Sequence, residues 1–452
     1  MKTASIAIFD IGKTNKKLFL FNEEYEIIYE KTESFAEILD EDGFWGEDVS
    51  KLTNWLLESW EEVLKNEQFD IKALNFSGYG ATLVQVDAEG NPVSPLYNYL
   101  KPFDPVLLNN FYTKYGGEID FPKITASPIL GNLNSGMQLY RLKYERPAIF
   151  EKTYLALHLP QYLSSVFTKK FYSEITSIGC HTNLWDFVKN KYHDWVKEEK
   201  IDQKLAPINA SNFTEKINNV EMGIGLHDSS SALIPYLKNQ EITDPFILIS
   251  TGTWCISLNP FNNEQLNDYQ LSKDCLSFLQ INGMHVKASR LFAGQFHEDQ
   301  TARIAHHFNI KSDFYKSILY DLNDAEKVNK SFVPKEFSNT KICYFEEKNL
   351  DDFNNAEEAY YQLIYDLVKQ QVFSLNLIIA NNNTVSNIFV DGGFSKNTIF
   401  MNLLAEEYPQ FNLFGAEVAQ ASALGAALVI HEKWNSKSIP FNLISIKKFS
   451  YA

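Results

Sequence analysis

The stretch GIGLHDSSSAL, residues 223–233, sets the carboxylate of Asp228 among small side chains at the start of a predicted helix. An ionised carboxylate in that position can accept the proton of a substrate hydroxyl while the oxygen attacks an electrophile. It can equally serve as an N-cap, which accepts hydrogen bonds from the first free amides of a helix. The residues around Asp228 leave both interpretations open.

A turn with exposed amides follows a carboxylate near the start of the chain. In FDIGKTNKKLFLF, residues 9–21, Asp10 ends a predicted strand, Thr14 and Asn15 lie in the turn, and Lys17 lies on the next strand. Successive backbone N–H groups in such a turn bind phosphate oxygens, and a carboxylate can hold Mg²⁺ or its water shell. A plain β-hairpin with polar turn residues is the alternative.

A second hairpin of this kind is predicted in FILISTGTWCISL, residues 246–258. Its turn is formed by Thr251, Gly252 and Thr253, which again offer hydroxyl and amide groups without bulk. A turn that requires glycine explains this pattern when it is taken alone. Because two similar hairpins begin the two halves of the chain, we expect both to hold one phosphate chain.

A third pattern is NIFVDGGFSKN at residues 387–397, in which a predicted strand ends at Val390. Gly392 and Gly393 allow the backbone to approach a ligand closely, and Ser395 can cap the next helix. The spacing matches neither the dinucleotide fingerprint nor the P-loop. A nucleotide at this position would therefore be held in another way, and a simple turn is the alternative.

The chain of 452 residues is acidic, with 41 Lys and Arg against 57 Asp and Glu and a formal net charge of −16. Basic side chains supply the attraction to nucleic acids and to anionic membranes, so neither is an expected partner. The cysteines show no zinc spacing, and no apolar run reaches the roughly 20 residues of a membrane span. We expect a cytoplasmic protein.

The elements that must position these residues are short strands and helices. Strands are predicted at SIAIFD, KLFLFN, YEIIYEKTES, ALNFSG, TLVQVD, FILIS, WCISLN and SNIFVDGG, and helices at 48–66, at 355–380, from 397 and in SALGAALVIHEKW. Residues 130–240 are predicted to be mostly helical, and the Asn-rich stretches 261–270 and 381–384 to be loops. The length favours two domains, with a boundary in the polar stretch 236–245.

In chain order these motifs resemble those of the FGGY carbohydrate kinases, a family of the actin-like ATPase superfamily. FDIGKTNKKLFLF is similar to the first phosphate motif of the family, ISTGTW to the second, VDGGFSKN to the adenosine motif and EVAQASALGAALV to the closing segment. LPQYLSSVFTKKFYSEITSIGCHTNLWDF is similar to the stretch that precedes the substrate aspartate. The resemblance runs through most of the chain, and HDSSSAL and STGTW are nearest to the rhamnulokinase branch.

The resemblance implies an α/β fold of two actin-like (ribonuclease H-like) domains, 1–240 and 241–452, with an interdomain nucleotide cleft. It implies ATP and Mg²⁺, with Asp228 as the general base that deprotonates a sugar hydroxyl and with Asp10 and Asp228 near the metal. The implied phosphate contacts are Thr14, Asn15, Lys17, Thr251, Gly252 and Thr253, and the implied adenosine contacts are Gly392, Gly393 and Asn397.

The segments expected to face the sugar depart from the family pattern. SGYGATLV puts Tyr79 and Gly80 where the family often has Gln-Met-His-Gly or Asp-Thr-Trp-Gly. YNYLKPFD offers Asn98, Lys101 or Asp104 in place of the usual Asp and Arg. These departures concern the sugar and leave the implied kinase chemistry intact.

The implied reaction is ATP-dependent phosphorylation of the primary hydroxyl of a ketose, L-rhamnulose or L-fuculose, with His227 among the sugar contacts. Lys13 stands where the family usually has a small or hydroxylic residue, and contact with a phosphate and exposure to solvent are both open for it. The alternatives are a kinase for a pentulose or a polyol and a non-catalytic actin-like ATP-binding regulator. A homodimer also stays open.

Overall fold

Two compact units make up the computed structural model, which describes residues 2–328, 342–380 and 384–449. The first unit contains Met1–Glu241, Ser277–Met284 and Ala419–Leu443, and the second contains Ile242–Leu276, His285–Val418 and Ile444–Ala452. Two segments from later in the chain therefore pack with the first unit. The sequence-based boundary between residues 240 and 241 stays a prediction for the domains.

The strands differ widely in length. Those between the start of the chain and residue 241 are β1 (Thr3–Ile11), β2 (Lys16–Asn22), β3 (Ile27–Glu33), β4 (Ile38–Leu39), β5 (Trp45–Gly46), β6 (Phe69–Gly78), β7 (Leu83–Val86), β8 (Leu155–His158), β9 (Ser173–Glu174), β10 (Trp185–Asp186), β11 (Lys191–Tyr192), β12 (Ile208–Asn209), β13 (Thr214–Ile217), β14 (Val220–Gly223) and β15 (Leu226–His227). The later strands are β16 (Phe246–Thr251), β17 (Cys255–Asn259), β18 (Cys275–Leu279), β19 (His285–Leu291), β20 (Asn387–Gly392), β21 (Asn412–Glu417) and β22 (Ser445–Phe449).

The α-helices follow the same chain order. They are α1 (Val49–Lys65), α2 (Pro105–Lys114), α3 (Gly117–Thr125), α4 (Ser135–Glu145), α5 (Pro147–Lys152), α6 (Leu159–Thr168), α7 (Ile175–Ile178), α8 (Asp194–Glu198), α9 (Asp228–Lys238), α10 (Asp268–Ser272), α11 (Ala293–His307), α12 (Leu322–Lys327), α13 (Ala356–Asn376), α14 (Thr398–Glu407), α15 (Ala421–Val429) and α16 (His431–Trp434). Within the described part of the chain, no helix has the length and apolar character required to cross a membrane.

The main sheet of the first unit has the strand order β13-β14-β6-β1-β2-β3, with β15 beside β6. β1 is antiparallel to β2 and parallel to β6. Helix α1 packs its predicted apolar face into the core of this unit, where Trp55 meets Phe9 of β1 with ring centroids 5.6 Å apart. The sheet therefore begins with the predicted hairpin and continues into a parallel strand.

The main sheet of the second unit has the order β18-β19-β17-β16-β20-β21-β22. Here β16 is antiparallel to β17 and parallel to β20, which repeats the arrangement of β1, β2 and β6 in the first unit. Both sheets thus place a hairpin turn at the carboxyl end of a buried strand. This is the repetition that the two similar hairpins in the sequence predict.

The structure corrects several local predictions. Residues 130–240, predicted to be mostly helical, contain short strands between short helices. These strands were missed because a segment of two to four residues is too short to show a recognisable periodicity in the sequence. The predicted last helix ends at Val429, and α16 begins after a non-helical Ile430. In the predicted loop 261–270, Asn267 caps the short helix α10. Of the loop predicted at 381–384, residues 381–383 lie outside the described residues.

Candidate active site

Asp10 and Asp228 lie at the same edge of the sheet in the first unit. Strand β6 ends at Gly78, which pairs with Ile11 of β1 on one side and with His227 of β15 on the other. Because both neighbours run parallel to β6, their carboxyl ends reach the same edge of the sheet. The topology therefore brings together two carboxylates that are more than two hundred residues apart in the sequence.

Both carboxylates have raised pKa values. Burial, and to a smaller extent the negative charge of Asp228, raises the pKa of Asp10 to about 6, against the lowering effect of hydrogen bonds from Ser422 and Ser77 and of the charge of Lys17. Ser422 Oγ donates to Asp10 Oδ2 at 2.9 Å. Burial also raises the pKa of Asp228 to about 6. Two carboxylates with raised pKa values at one edge of a sheet are a typical feature of functional sites.

The N-cap interpretation of Asp228 is wrong, because His227 occupies the N-cap position and Asp228 is the first residue of α9. The carboxylate accepts hydrogen bonds from the backbone N–H of Ser229 at 2.6 Å and from its hydroxyl at 3.2 Å. The side chain of Asp228 keeps 33% of its surface exposed. The carboxylate is therefore surrounded by protein yet accessible to a ligand.

His227 is buried beside Asp228 and is only 3% exposed. Its Nε2 lies 3.3 Å from Asp228 Oδ1 and 3.0 Å from Cys180 Sγ, and its Nδ1 lies 3.1 Å from Ser230 Oγ. Burial lowers the pKa of His227 to about 3, so the imidazole is neutral. The predicted sugar contact of His227 stays a prediction, and the ring also packs directly against the carboxylate.

The turn after β1 is tight and exposes the predicted phosphate contacts. Gly12 N–H donates to Asn15 O at 2.9 Å, and the side chains of Thr14 and Asn15 are exposed. Lys17 pairs with Asp10 across the hairpin, and its Nζ lies 3.3 Å from Gln420 Oε1. The structure thus groups these residues around Asp10, as the sequence predicts, although their contact with phosphate stays a prediction.

Tyr79 and Gly80 follow β6 at the same edge of the sheet. Tyr79 donates its hydroxyl hydrogen bond to Glu47 Oε1 at 2.7 Å and meets Tyr99 edge-on, with ring centroids 6.1 Å apart. A β-carbon on Gly80 would lie 2.6 Å from Cys180 Sγ and 3.0 Å from His227 Nε2. Glycine at this position therefore lets the backbone approach His227.

Tyr99 is a candidate that the sequence reasoning did not single out. Its pKa is raised by burial, with the charge of Asp228 among the further causes, so its ring lies near that carboxylate. Lys13 Nζ lies 6.0 Å from the centre of the same ring. The sequence signal for Tyr99 is weak, because the residue is one of many tyrosines in the chain.

Lys13, Asn98 and Lys101 have defined local partners. Lys13 Nζ lies 2.7 Å from Glu37 Oε1 and the side chain is partly exposed, and contact with a phosphate stays a prediction. Asn98 Oδ1 accepts from Leu100 N–H at 2.9 Å. Lys101 is buried, and its Nζ lies 2.6 Å from a carboxylate oxygen of each of two aspartates, Asp40 and Asp42. The sugar contacts predicted for Asn98 and Lys101 stay predictions.

Asp104, the third residue considered there, begins a helix. Its carboxylate accepts from Leu107 N–H at 2.7 Å and caps α2. This is the hydrogen bond of an N-cap residue, and it accounts for an aspartate at that position without a ligand.

In the second unit, the turn after β16 packs against two glycines. Thr251 Oγ1 donates to Asp391 O and accepts from Phe394 N–H at 3.1 Å. A β-carbon on Gly392 would lie 1.9 Å from Thr251 O, and one on Gly294 would lie 1.8 Å from Gly252 O. Only glycine permits these approaches, so the strand ends β16 and β20 and the start of α11 meet at one point.

A pocket of about 820 Å³ opens beside this point. Thr251, Gly252, Gly393 and Asn397 line it, together with the aromatic rings of His297, Tyr315, Tyr360 and Phe394. A β-carbon on Gly393 would meet no atom within 4 Å, so the backbone there faces open space. The volume and the aromatic wall suit a ligand the size of a nucleotide.

Asn397 holds part of that wall in place. Its Oδ1 accepts from Phe400 N–H at 3.0 Å and so caps α14, while its Nδ2 donates to Tyr360 Oη at 2.8 Å. Tyr360 Oη also lies 3.0 Å from His297 Nε2, and its ring stacks on Tyr315. The sequence reasoning missed His297, Tyr315 and Tyr360, because they come from separate elements and carry no shared spacing.

The residues at the edge of the first sheet fit a magnesium ion that is bound mainly through water and phosphate. No group of three or more His, Cys, Asp or Glu residues in the described ranges is arranged to hold a metal by itself. Mg²⁺, however, commonly takes one or two carboxylates and completes its octahedron with water and substrate phosphates. Asp10 and Asp228 supply such a pair, and a cation would offset both the burial and the smaller repulsion from Asp228 that raise the pKa of Asp10.

The sequence is similar to those of known carbohydrate kinases. A family model described as the FGGY family of carbohydrate kinases, N-terminal domain, matches residues 5–200, and the FGGY C-terminal domain model matches residues 243–438. A curated rhamnulokinase from Oceanobacillus iheyensis is 22% identical, with 95% of this chain and 93% of that protein covered.

Three solved structures with the same fold are also kinases. A carbohydrate kinase from Novosphingobium aromaticivorans has a TM-score of 0.78 at 20% identity, covering 100% of this chain and 95% of its own. A xylulose kinase from Lactobacillus acidophilus has a TM-score of 0.80 at 12% identity, with 99% of this chain and 94% of that chain covered. A Plasmodium falciparum glycerol kinase with ADP has a TM-score of 0.74 at 18% identity, with 96% of this chain and 90% of that chain covered. The predicted two-domain, actin-like α/β fold is thereby confirmed. The chain belongs to the FGGY family of carbohydrate kinases, ATP-dependent phosphotransferases whose acceptor is an alcohol group.

Proposed function

We propose that this protein transfers the γ-phosphoryl group of ATP to the primary hydroxyl of a ketose and that Asp228 is the general base. L-Rhamnulose and L-fuculose are the first candidates, because the curated relative is a rhamnulokinase and HDSSSAL resembles that branch of the family. The observation that carries the proposal is the state of Asp228, which is surrounded by protein, partly exposed and not used as an N-cap.

The chemistry follows from the pKa of this carboxylate. With a pKa of about 6, Asp228 is largely ionised at neutral pH and is a stronger base than an exposed aspartate. As the sugar oxygen bonds to the γ-phosphorus, its proton passes to Asp228, the bond between the γ-phosphorus and the bridging oxygen breaks, and ADP leaves. Most of the catalysis in such a transfer is positioning and neutralisation of charge.

The remaining residues bind and orient. Thr14, Asn15 and Lys17 of the first unit and Thr251, Gly252 and Thr253 of the second are the proposed phosphate contacts. Gly393 and Asn397, which line the aromatic pocket, and the adjacent Gly392 border the adenosine. Mg²⁺ held near Asp10 and Asp228 would supply neutralisation of the phosphate charge.

The test is ADP release by the purified protein with Mg–ATP and a panel of acceptors. The panel contains L-rhamnulose, L-fuculose, both xyluloses, both ribuloses, D-tagatose, glycerol and a blank. We expect one of the two deoxyhexuloses to raise ADP release far above the blank, and Asp228→Asn to lower kcat by a factor of about 10² or more with ATP binding retained. Asp194→Asn, which also changes the first residue of a helix, is the control and should keep the wild-type rate.

Each other outcome corrects a stated part of the proposal. Stimulation by a pentulose or by glycerol would replace the deoxyketose as substrate. ATP binding without stimulation by any acceptor would favour the non-catalytic regulator. A full rate in Asp228→Asn would remove the base from the mechanism.

A further inference from the structure

Lys16 and Glu47 form a buried ion pair beside the turn that follows β1. Lys16 Nζ lies 2.8 Å from Glu47 Oε2, and the two side chains are only 3% and 8% exposed. Neither residue has a role in the proposed function. An ion pair that is removed from water is costly unless the remaining hydrogen-bonding capacity of both groups is used, so the other contacts of this pair are informative.

The ammonium group of Lys16 also donates hydrogen bonds to two backbone carbonyls of the turn itself. It donates to Gly12 O at 3.1 Å and to Lys13 O at 2.9 Å. With Glu47, all three N–H donors of the ammonium are accounted for. Lys16 therefore holds two consecutive carbonyl groups of the turn towards the interior of the unit.

The direction of these carbonyls determines the direction of the neighbouring amides. In a planar trans peptide, the C=O of one residue and the N–H of the next point to opposite sides. Because Gly12 O and Lys13 O face the buried ammonium, the N–H groups of Lys13 and Thr14 face away from it. In the part of the chain that the structure describes, neither N–H donates to a backbone carbonyl. Outward amides in consecutive peptides are the arrangement that binds phosphate oxygens.

Glu47 is itself held on several sides. Its Oε1 accepts from the hydroxyl of Tyr79 at 2.7 Å and lies 3.4 Å from Lys13 Nζ. Its backbone N–H donates to Leu96 O at 3.2 Å, so the residue is anchored to the segment that leads to Tyr99. Glu47 thus connects the turn with both segments that are proposed to face the sugar, with Tyr79 through its carboxylate and with the 96–99 segment through its backbone N–H.

We propose that Glu47 is a positioning residue for phosphate binding, which acts through Lys16 by fixing the two peptide groups whose N–H donors face outward. This inference rests on the proposed function, because it assumes that the turn binds the phosphates of ATP. Glu47 itself touches neither phosphate nor sugar in this role. Its effect is to orient backbone dipoles before the ligand arrives, so that binding does not have to order them.

The test compares the affinities for Mg–AMP-PNP and for AMP, measured by calorimetry on the full chain. AMP lacks the β- and γ-phosphates, so the ratio of the two affinities isolates the contribution of those phosphates and requires no acceptor. We expect Glu47→Gln to lower this ratio by roughly tenfold, the equivalent of one lost hydrogen bond to a charged group. Glutamine keeps an acceptor for Tyr79 but loses the charge that holds Lys16.

Two further variants separate positioning from folding stability. Lys16→Met/Glu47→Gln leaves no unpaired buried charge, so its thermal stability should return close to that of the wild type while the affinity ratio stays low. Asp40→Asn breaks another buried pair of the same unit, with Lys101, and should leave the ratio unchanged. An affinity ratio that recovers together with stability in the double variant would overturn the inference.

The outcome for the wild type separates this inference from the proposed function. If the wild-type protein binds Mg–AMP-PNP no more tightly than AMP, the phosphate role of the turn is wrong and the inference is wrong with it. If the wild type discriminates and Glu47→Gln discriminates equally well, only the inference is wrong.

Discussion

Asp10 and Asp228 carry negative charges that folding brings into one buried region. The pKa of each rises from 3.8 to about 6, mainly through burial. A carboxyl group with a raised pKa binds its proton more tightly in the folded chain than in the unfolded chain. Stability is therefore lost as the pH rises from about 4 through about 6, and it stays lost at higher pH.

Replacing Asp228 by asparagine should therefore stabilise the protein in a pH-dependent way. At pH 8 we expect Asp228→Asn to raise the free energy of unfolding by about 1–2 kcal/mol, a value reduced because a third of the side chain is exposed. Near pH 4 the gain should disappear, because the wild-type carboxyl is then protonated. Thermal melts at the two pH values measure this. An equal shift of the melting temperature at both pH values would show that ionisation of Asp228 does not destabilise the fold.

The sequence singled out candidate site residues whose surroundings are local. Asp10, Thr251 and Gly392 each stand beside a tight turn, and glycine, hydroxyl and carboxylate groups at strand ends can be recognised without a structure. Tyr99 and Glu47 could not be recognised in this way. Their roles depend on contacts between distant segments, and an isolated tyrosine or glutamate resembles any other in the sequence.

Helices α9 and α15 are the elements that complete the edge of the first sheet. Asp228 begins α9, and Ser422 of α15 donates to Asp10. The two helices approach very closely, since a β-carbon on Gly425 would lie 1.9 Å from Ser231 O. Ser231 Oγ also donates to Ser422 O at 2.7 Å. The spacing of the two helices therefore controls how both carboxylates are presented.

Gly425→Ala should consequently destabilise the protein, although alanine usually stabilises a helix relative to glycine. The added methyl group has to push α15 away from α9, and we expect a loss of about 1–3 kcal/mol, typical of an overpacked contact. Kinase activity should fall as well, because Asp228 and Ser422 move apart. Chemical denaturation and ADP release measure the two effects, and a rise in stability would contradict the close approach.

At the level of elements, long and regular segments were predictable and short ones were not. Helices α1 and α13 and the hairpin strands β1, β2, β16 and β17 coincide with predicted segments, because an apolar stripe or an apolar run extends over each. The two-residue strands β9 to β12 are stabilised by their neighbours in space rather than by their own sequence. The break after Val429 was missed because Ile430 continues the apolar run of α15 and no Gly or Pro marks the break.

In the whole molecule, the proposed ligands belong to different units. The aromatic pocket is built from second-unit residues, and the two carboxylates belong to the first. Hydrogen exchange should therefore show that AMP alone protects residues 293–302 and 392–400 and leaves 223–233 unchanged. A ketose should protect 223–233 instead. Protection of 223–233 by AMP would contradict this assignment of the adenosine.

The return of residues 419–443 to the first unit also has a consequence for synthesis on the ribosome. Asp10 emerges early, but its hydrogen-bond donor Ser422 follows 412 residues later, after the segments of the second unit up to Val418. A nascent chain thus carries its first carboxylate long before the helix that orients it exists. Chains that terminate before α15 would leave the face of α9 that packs on α15 exposed. Chaperones and proteases would recognise this exposed surface, so such chains would not accumulate as inactive enzyme.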